Sequence, residues 1–280
     1  MKKEDFIKEI YKKMKNLSDY SYDEEKLLVC MSLDLSLEQL FLKKDFSQKE
    51  EQKINYYLRK RLMGEPLNKV FHKQNFCGYD FYVNENVLAP RIETELLVEI
   101  CQKIIKKEQK NYEILDLCAG SGCIGLSISK KMPNIAITLS DISAKALYVA
   151  RKNAKKLQLK PKFMQKDMLE GNKNLYDIIV CNPPYIKSGD IAYLDKGVRV
   201  FDPQIALDGG ENGLNFYAYL AKNVRKNLKK EGYLILEIGY DQKNDVTEIF
   251  EREGFASWCL KDFSNCDRII VVREKGLKYD

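Results

Sequence analysis

Asn182, Pro183, Pro184 and Tyr185 follow directly on the apolar run Ile178-Ile179-Val180-Cys181. A short β-branched run bounded by turn residues reads as an inner strand of a parallel sheet. Asn182 then stands at its carboxyl end, where such strands deliver ligand contacts. Each proline holds φ at about −65° and lacks an N–H, and Pro183 also keeps Asn182 out of the α region. The corner is therefore stiff, and neither Asn182 Oδ1 nor the Pro183 carbonyl is used up in a helix or a ladder. Two acceptors beside the flat ring of Tyr185 make a site for a planar NH2 group, either a carboxamide or an exocyclic amine. Asn-Pro is also an ordinary turn dipeptide, so the rest of the chain has to decide.

A second group of residues points to a bound cofactor. Gly120, Gly122 and Gly125 spell G-x-G-x-x-G after the strand-like Tyr112–Leu117. Glycines let a ligand approach the backbone closely, and the following helix offers its first N–H groups. Dinucleotide-binding proteins share that spacing. Asp116, just before the turn, discriminates: a carboxylate there repels a pyrophosphate but suits an ammonium group. The next strand, 135–139, ends in Ser140-Asp141, where an acidic side chain accepts ribose hydroxyls in either cofactor class. Asp167 and Met168 follow the strand 161–165. Asp167 is read either as the acceptor of an adenine amine, with Met168 lying on the ring, or as a plain loop carboxylate.

Alternating strands and helices must position these residues. Strands are expected at 112–117, 135–139, 161–165, 176–181, 233–237, 257–261 and 268–273, with helices at 96–105, 144–157, 214–228 and 244–253. That alternation predicts a parallel α/β sheet with an antiparallel strand at its close. Right-handed crossovers then bring Asp116, Asp141, Asp167 and Asn182 to one edge. Ahead of the sheet, helical periodicity through Phe6, Ile10 and Met14, Leu27, Leu28 and Met31, Leu37, Leu40 and Phe41, and Ile54 and Leu58 predicts a small all-α bundle over 1–70. Asp23, Ser36 and Ser47 are its expected N-caps, the last in a capping box with Glu50. The bundle carries no catalytic chemistry and reads as a packing or partner-docking module. A β-hairpin linker is expected over 71–88, and residues 89–280 form the remaining domain. Pro90 suits a helix start, but Arg91 has the wrong sign for that position, which implies a partner for it.

Composition narrows the classes further. The 280 residues include 47 basic and 41 acidic side chains, giving a net charge of +6 with the signs interspersed, which does not call for nucleic acid. No apolar run reaches the roughly 18 residues of a spanning helix, and the amino terminus has no secretory apolar stretch. The eight cysteines include no C-x-x-C pair and read as reduced core residues of a cytoplasmic protein. A single histidine, His72, makes a zinc site or a Ser–His triad a poor fit; no metal is expected.

Asp116 to Gly122, Asp141 and Asn182-Pro183-Pro184-Tyr185 together resemble the class I S-adenosylmethionine-dependent methyltransferases that modify amide or amine nitrogens. Pro90-Arg91-x-Glu93-Thr94-Glu95 and Phe201-Asp202-Pro203-x-x-Ala206-Leu207-x-Gly209-Gly210-x-x-Gly213-Leu214 narrow this. With the helical amino-terminal domain they resemble the peptide chain release factor N5-glutamine methyltransferases, over essentially the whole chain. The resemblance implies a Rossmann-like sheet with an antiparallel last strand, and S-adenosyl-L-methionine as cofactor, released as S-adenosyl-L-homocysteine. Its implied protein substrates are release factors 1 and 2, docked by the amino-terminal domain and methylated on the glutamine of their Gly-Gly-Gln loop. It implies that Asp116, Cys118, Ala119, Gly120, Ser121, Gly122, Asp141, Asp167, Met168 and Asn182 hold the cofactor. Asn182, Pro183, Pro184 and Tyr185 would hold the substrate, with Asn182, Pro183 and Tyr185 catalytic. Two departures stand out. Cys118 replaces the usual first glycine, which requires it to keep a negative φ, and Met168 replaces an aromatic residue.

Other readings leave more unexplained. A ribosomal-protein glutamine methyltransferase differs only in the amino-terminal domain and the selective motifs. An adenine-N6 DNA methyltransferase uses the same corner but needs base flipping and a target-reading domain. An NAD-dependent dehydrogenase gives Asp116 and the Pro-Pro corner no purpose. A non-enzymatic binding module would retain the cofactor without transferring a methyl group.

Overall fold

The computed structural model describes residues 2–108, 111–132 and 134–279. The chain divides into two compact units, Met1–Lys73 with Tyr193–Phe201, and Gln74–Ala192 with Asp202–Asp280.

The first unit contains α1 (Lys3–Met14), α2 (Glu24–Leu33), α3 (Leu37–Leu42), α4 (Gln48–Leu62) and α5 (Leu67–Val70). Phe6, Ile10, Met14, Leu28, Val29, Leu40, Ile54 and Leu58 form its core. Ser36 and Ser47 cap α3 and α4 in full capping boxes with Gln39 and Glu50. Asp23 does not cap α2: its φ of 62° turns the carboxylate away from the helix N–H groups, and it pairs with Lys26 at 2.7 Å instead. Leu27, Leu37 and Phe41 are exposed rather than buried. Arg61 is fully buried between Asp19 and Glu24, at 2.6 Å from each. Residues 193–201 join this unit although they lie far along the chain: Lys196 Nζ donates to the Met63 carbonyl at 3.0 Å.

The second unit begins with a two-stranded hairpin, β1 (Lys73–Phe76) and β2 (Tyr79–Tyr82), which turns at Cys77-Gly78. Then follow α6 (Glu95–Glu108), β3 (Tyr112–Leu117), α7 (Cys123–Lys131), β4 (Ile135–Asp141), α8 (Ala144–Lys156), β5 (Lys162–Gln165) and β6 (Tyr176–Cys181). After α9 (Lys196–Phe201), which belongs to the first unit, come α10 (Asn215–Asn223), β7 (Leu228–Glu237), α11 (Lys243–Arg252), β8 (Phe255–Lys261) and β9 (Asp267–Glu274). The seven-stranded sheet runs β5-β4-β3-β6-β7-β9-β8, and β9 is antiparallel to both of its neighbours.

All six residues of β6 are buried. Ile178 and Val180 face the core shared with α6, α7 and α8, whereas Ile179 and Cys181 face the core shared with α10 and α11. A continuous apolar run is what a strand covered on both faces needs. The chain moves outward from β3 to β5, then returns to β6 on the other side of β3. A crevice therefore opens between the carboxyl ends of β3 and β6. Leu117 pairs with Cys181 across it, so the residues that follow, Cys118 and Asn182, leave the sheet side by side.

Candidate active site

The glycine turn leaves β3 at Cys118, whose φ is 56°. The expected negative φ is not what the chain adopts; a non-glycine residue takes the left-handed conformation there. The strand register leaves little choice, because Ala119 N donates to the Ser140 carbonyl at 3.0 Å and ties the turn to the end of β4. Helix α7 starts at Gly122, which has no side chain with which to cap it. Asp116 does so from beneath: its Oδ2 accepts the Gly125 N–H at 2.8 Å, one of the donors that a helix start leaves unpaired. A Cβ on Gly125 would lie 2.5 Å from Leu139 and 2.9 Å from Asp116 Oδ2, so only glycine permits this approach. Asp116 is fully buried, and its Oδ1 has no partner. Burial pushes its carboxyl up to about 7, opposed by the Gly125 N–H. It does not reach the cavity wall, so the direct contact expected with an ammonium group is replaced by support of the turn.

A cavity of about 290 Å³ lies over this turn, within the second unit. Cys118, Ala119, Gly120 and Ser121 form its floor, Asp141, Asp167 and Met168 one wall, and Asn182 and Pro184 another. Asp141 accepts the Gly120 N–H on Oδ2 and the Ser143 N–H on Oδ1, both at 2.8 Å. Each oxygen keeps a second lone pair, enough for two ribose hydroxyls. Burial raises the Asp141 pKa and these two N–H groups lower it again. Met168 is buried, with its Sδ 3.6 Å from Cys118 Sγ; Asp167 is exposed. Gly122 lies off the wall, where its place is the start of α7.

At the corner, Asn182 Nδ2 donates to Thr94 Oγ1 at 3.4 Å. Among the described residues nothing donates to Asn182 Oδ1 or to the Pro183 carbonyl. Pro183 is buried and off this cavity's wall, as is the partly buried Tyr185. Tyr185 OH donates to Glu237 Oε1 at 3.3 Å, so its ring is anchored from below and offers this cavity no stacking face.

The downstream glycine motif braces the corner from behind. Ile186 N donates to the Leu207 carbonyl at 3.0 Å, and Gly209 N to the Ile186 carbonyl at 2.8 Å. A Cβ on Gly209 would meet Tyr185 Cα at 2.8 Å, and one on Gly213 would meet the Tyr185 carbonyl at 2.4 Å. Gln242 Nε2 donates to that same carbonyl at 3.0 Å. The buried Asp202 receives Ala89 N and Arg91 Nη2, both at 3.3 Å. This is the partner that the sign of Arg91 calls for, and it joins the two selective motifs at the cavity rim.

Glu237, Gln242 and Ser143 are parts of the site that sequence reasoning missed, and Thr94, quoted within a selective motif, carries no role there. Glu237 had a readable signal: it closes the apolar run Leu234-Ile235-Leu236 just as Asn182 closes its own. Among the described residues no three His, Cys, Asp or Glu side chains are gathered as a metal ion would require.

A family model described as "Methyltransferase small domain" matches residues 92–196. The chain is 36% identical over 290 residues to the release factor glutamine methyltransferase of Clostridium acetobutylicum, covering 99% of this chain and 100% of that one. It is 34% identical over 258 residues to that of Agrobacterium fabrum, covering 89% of each. The chain belongs to the release factor glutamine methyltransferase family. Among solved structures, a methyltransferase from Pyrococcus furiosus superimposes with a TM-score of 0.52 at 18% identity, over 78% of this chain and 98% of that one. A ribosomal protein L11 methylase from Lactobacillus delbrueckii subsp. bulgaricus gives 0.50 at 15%, over 68% and 81%. The fold of this family member is thus the class I methyltransferase fold, with its antiparallel last strand inserted between β7 and β8.

Proposed function

We propose that this chain transfers the methyl group of S-adenosyl-L-methionine to the side-chain amide nitrogen of the glutamine in the Gly-Gly-Gln loop of peptide chain release factors 1 and 2. The observation that carries the reading is Asn182 on the cavity wall, its Oδ1 unpartnered while Nδ2 donates to Thr94. An acceptor kept free on the wall of this cavity calls for an NH2-bearing substrate.

The cofactor fits the residues present. Asp141 keeps lone pairs for the ribose, Asp167 lines the same cavity and would accept the adenine amine, and Met168 with Cys118 adds apolar lining. When bound, the cofactor supplies an electrophilic sulfonium methyl. This chain's own work is to present the nitrogen. An amide nitrogen is a poor nucleophile because its lone pair is delocalised into the carbonyl, the resonance behind a rotation barrier of about 18–20 kcal/mol in peptide bonds. Asn182 Oδ1 accepts one of its N–H bonds at the cavity wall, and the unpartnered Pro183 carbonyl, set back from that wall, accepts the other; together they set the direction of attack. Orientation of that kind contributes on the order of 7–11 kcal/mol. The two hydrogen bonds strengthen as the nitrogen gains positive charge, by about 1.5–3 kcal/mol each. Neither Asp116 nor Glu237 lines the cavity, so positioning outweighs proton abstraction. The reaction so written uses no metal. On this reading the helical unit docks the release factor in the cytoplasm, and no nucleic acid or membrane is engaged; among the described residues no helix is long and apolar enough to cross a membrane.

The test is incubation with labelled cofactor and purified release factor, with the methyl group mapped by mass spectrometry. Label on the loop glutamine is expected. Asn182→Ala should keep cofactor affinity within about twofold and lose about 10- to 150-fold in methyl transfer, the equivalent of the one such hydrogen bond it removes. Normal turnover by Asn182→Ala, or label elsewhere, would reject the reading.

A further inference from the structure

The corner that presents the substrate amide has little of its own with which to be held. Pro183 and Pro184 lack N–H groups. Among the described residues the main chain of 183–185 makes one hydrogen bond: Gln242 Nε2 donates to the Tyr185 carbonyl at 3.0 Å. The same NH2 donates to the Gly213 carbonyl at 3.2 Å, and Gln242 Oε1 accepts the Gly239 N–H at 2.9 Å. Two acceptors on one side and a donor on the other leave this carboxamide one way round. It is also enclosed. Gln242 is 4% exposed, and a Cβ on Gly213 would lie 2.8 Å from its Nε2, one on Gly239 2.9 Å from its Oε1. It does not line the cavity.

The peptide between Tyr185 and Ile186 is therefore held on both sides, its C=O by Gln242 and its N–H by the Leu207 carbonyl at 3.0 Å. Resting on the glutamine-methyltransferase reading, we propose that Gln242 is a positioning residue for methyl transfer, which aims the Pro183 carbonyl by clamping the peptide that leaves the corner. With φ fixed at both prolines, the direction of that carbonyl turns on ψ of Pro183 and Pro184. Those torsions can change only if one end of the corner moves. Strand β6 fixes the entry, where Cys181 pairs with Leu117 on one side and Leu236 on the other. The Gln242 clamp fixes the exit. Without its NH2 the exit peptide keeps only its N–H bond and can swing about it. The Pro183 carbonyl then samples directions in which it misses the substrate N–H, while Asp141 and the glycine turn stay as they are.

A second buried amide separates aiming from mere stability. Asn227 stands at the opposite end of β7 and is 2% exposed. Its Nδ2 donates to the Asn172 and Asn174 carbonyls at 2.8 and 3.0 Å. One NH2 again ties two carbonyls, but off the cavity wall and off the corner.

The experiment is steady-state methyl transfer to purified release factor by the full chain. Turnover is counted per cofactor site, from calorimetry with S-adenosyl-L-homocysteine, and Tm is measured for each protein. The wild type, Gln242→Leu, Gln242→Glu and Asn227→Leu are compared. Gln242→Leu should lose about 10- to 100-fold in kcat and keep cofactor Kd within about twofold. Gln242→Glu keeps the shape and the acceptor for Gly239 but leaves at most one donor for two carbonyls, and should lose at least about fivefold in kcat. Asn227→Leu should lower Tm about as much as Gln242→Leu and keep kcat within about twofold. Gln242 variants that keep the wild-type kcat per site, whatever their Tm, overturn the proposal. So does an Asn227→Leu enzyme that loses as much kcat as Gln242→Leu, since the loss is then general destabilisation. A cofactor Kd that weakens as far as kcat falls overturns it too, because the clamp then acts on the glycine turn. Should Gln242→Leu fail to fold, the isosteric Gln242→Glu decides. A wild type that binds cofactor but never methylates release factor overturns the parent reading instead.

Discussion

Asp116 and Glu237 flank the strand that carries Asn182: β6 lies between β3 and β7, and each of those neighbours brings a buried carboxyl to the same edge of the sheet. Burial pushes both up to about 7. Each has one oxygen in a hydrogen bond and one without a partner. The difference lies in the donor. Asp116 holds a backbone N–H at 2.8 Å, which cannot turn away without unwinding the first turn of α7. Glu237 holds a phenol hydroxyl at 3.3 Å, whose proton can rotate away. The same degree of burial therefore makes a fixed strut under the cofactor turn and an adjustable one under the amide corner.

The sharpest way to break that contrast is to remove each carboxyl and read binding and turnover separately. Asp116→Leu leaves the Gly125 N–H buried without an acceptor, at a cost of about 1–3 kcal/mol. The glycine turn should loosen, and cofactor affinity should fall by about 10-fold or more in calorimetry. Its kcat at saturating cofactor should fall much less. Glu237→Gln should show the reverse pattern. An Asp116→Leu enzyme with unchanged cofactor Kd and a collapsed kcat would erase the distinction between the two struts.

Much of this arrangement was legible in the residues. The β6 run and the corner beyond it stand where periodicity put them, because a strand buried on both faces must be apolar throughout. The glycine turn and Asp141 were legible for a similar reason: few local solutions place N–H groups and a carboxylate at adjacent strand ends. The position of Asp116 at the strand end is legible, but its direction is not, since only the packing of α7 brings Gly125 N to its carboxylate. Thr94 stands in a quoted motif and Glu237 at the end of a readable apolar run, but their roles come from pairings across 88 and 52 residues that no spacing announces. The inclusion of residues 193–201 in the helical unit is equally long-range.

Acid stability offers a second and smaller separation of the two carboxyls. Unfolded Asp116 ionises near about 3.9, whereas folded it does so at about 7. Between those values the folded state holds a proton that the unfolded state has lost, so stability falls as pH rises. Asp116→Asn cannot ionise, so it should gain on the wild type across that window, by on the order of a few kcal/mol between pH 4 and pH 7. The gain should level off above pH 7. Urea unfolding of the cofactor-free protein at pH 4, 5.5 and 7 measures it. A difference that stays flat across the window would mean that Asp116 ionises freely in place, and the fixed strut would lose its physical basis.

The smallest expected effect concerns Cys118, the residue that joins the turn to the sheet. Its φ of 56° places an L side chain in the left-handed region, a cost of about 1–2 kcal/mol for a residue with a Cβ. Cys118→Gly removes that strain, but glycine gives back about 0.5–1 kcal/mol through the greater freedom of the unfolded chain. It also forfeits the Sγ contact with Met168 at 3.6 Å. The balance should still favour glycine slightly, raising Tm by about 1–3 °C in a domain of this size. Cofactor affinity should stay within about twofold, because Asp116 and Asp141 hold the turn independently. A lower Tm would show that the sulfur packing outweighs the backbone strain. A large loss of cofactor affinity would show that the turn depends on Cys118 as much as on the carboxyl beneath it, making the strut only one of two supports.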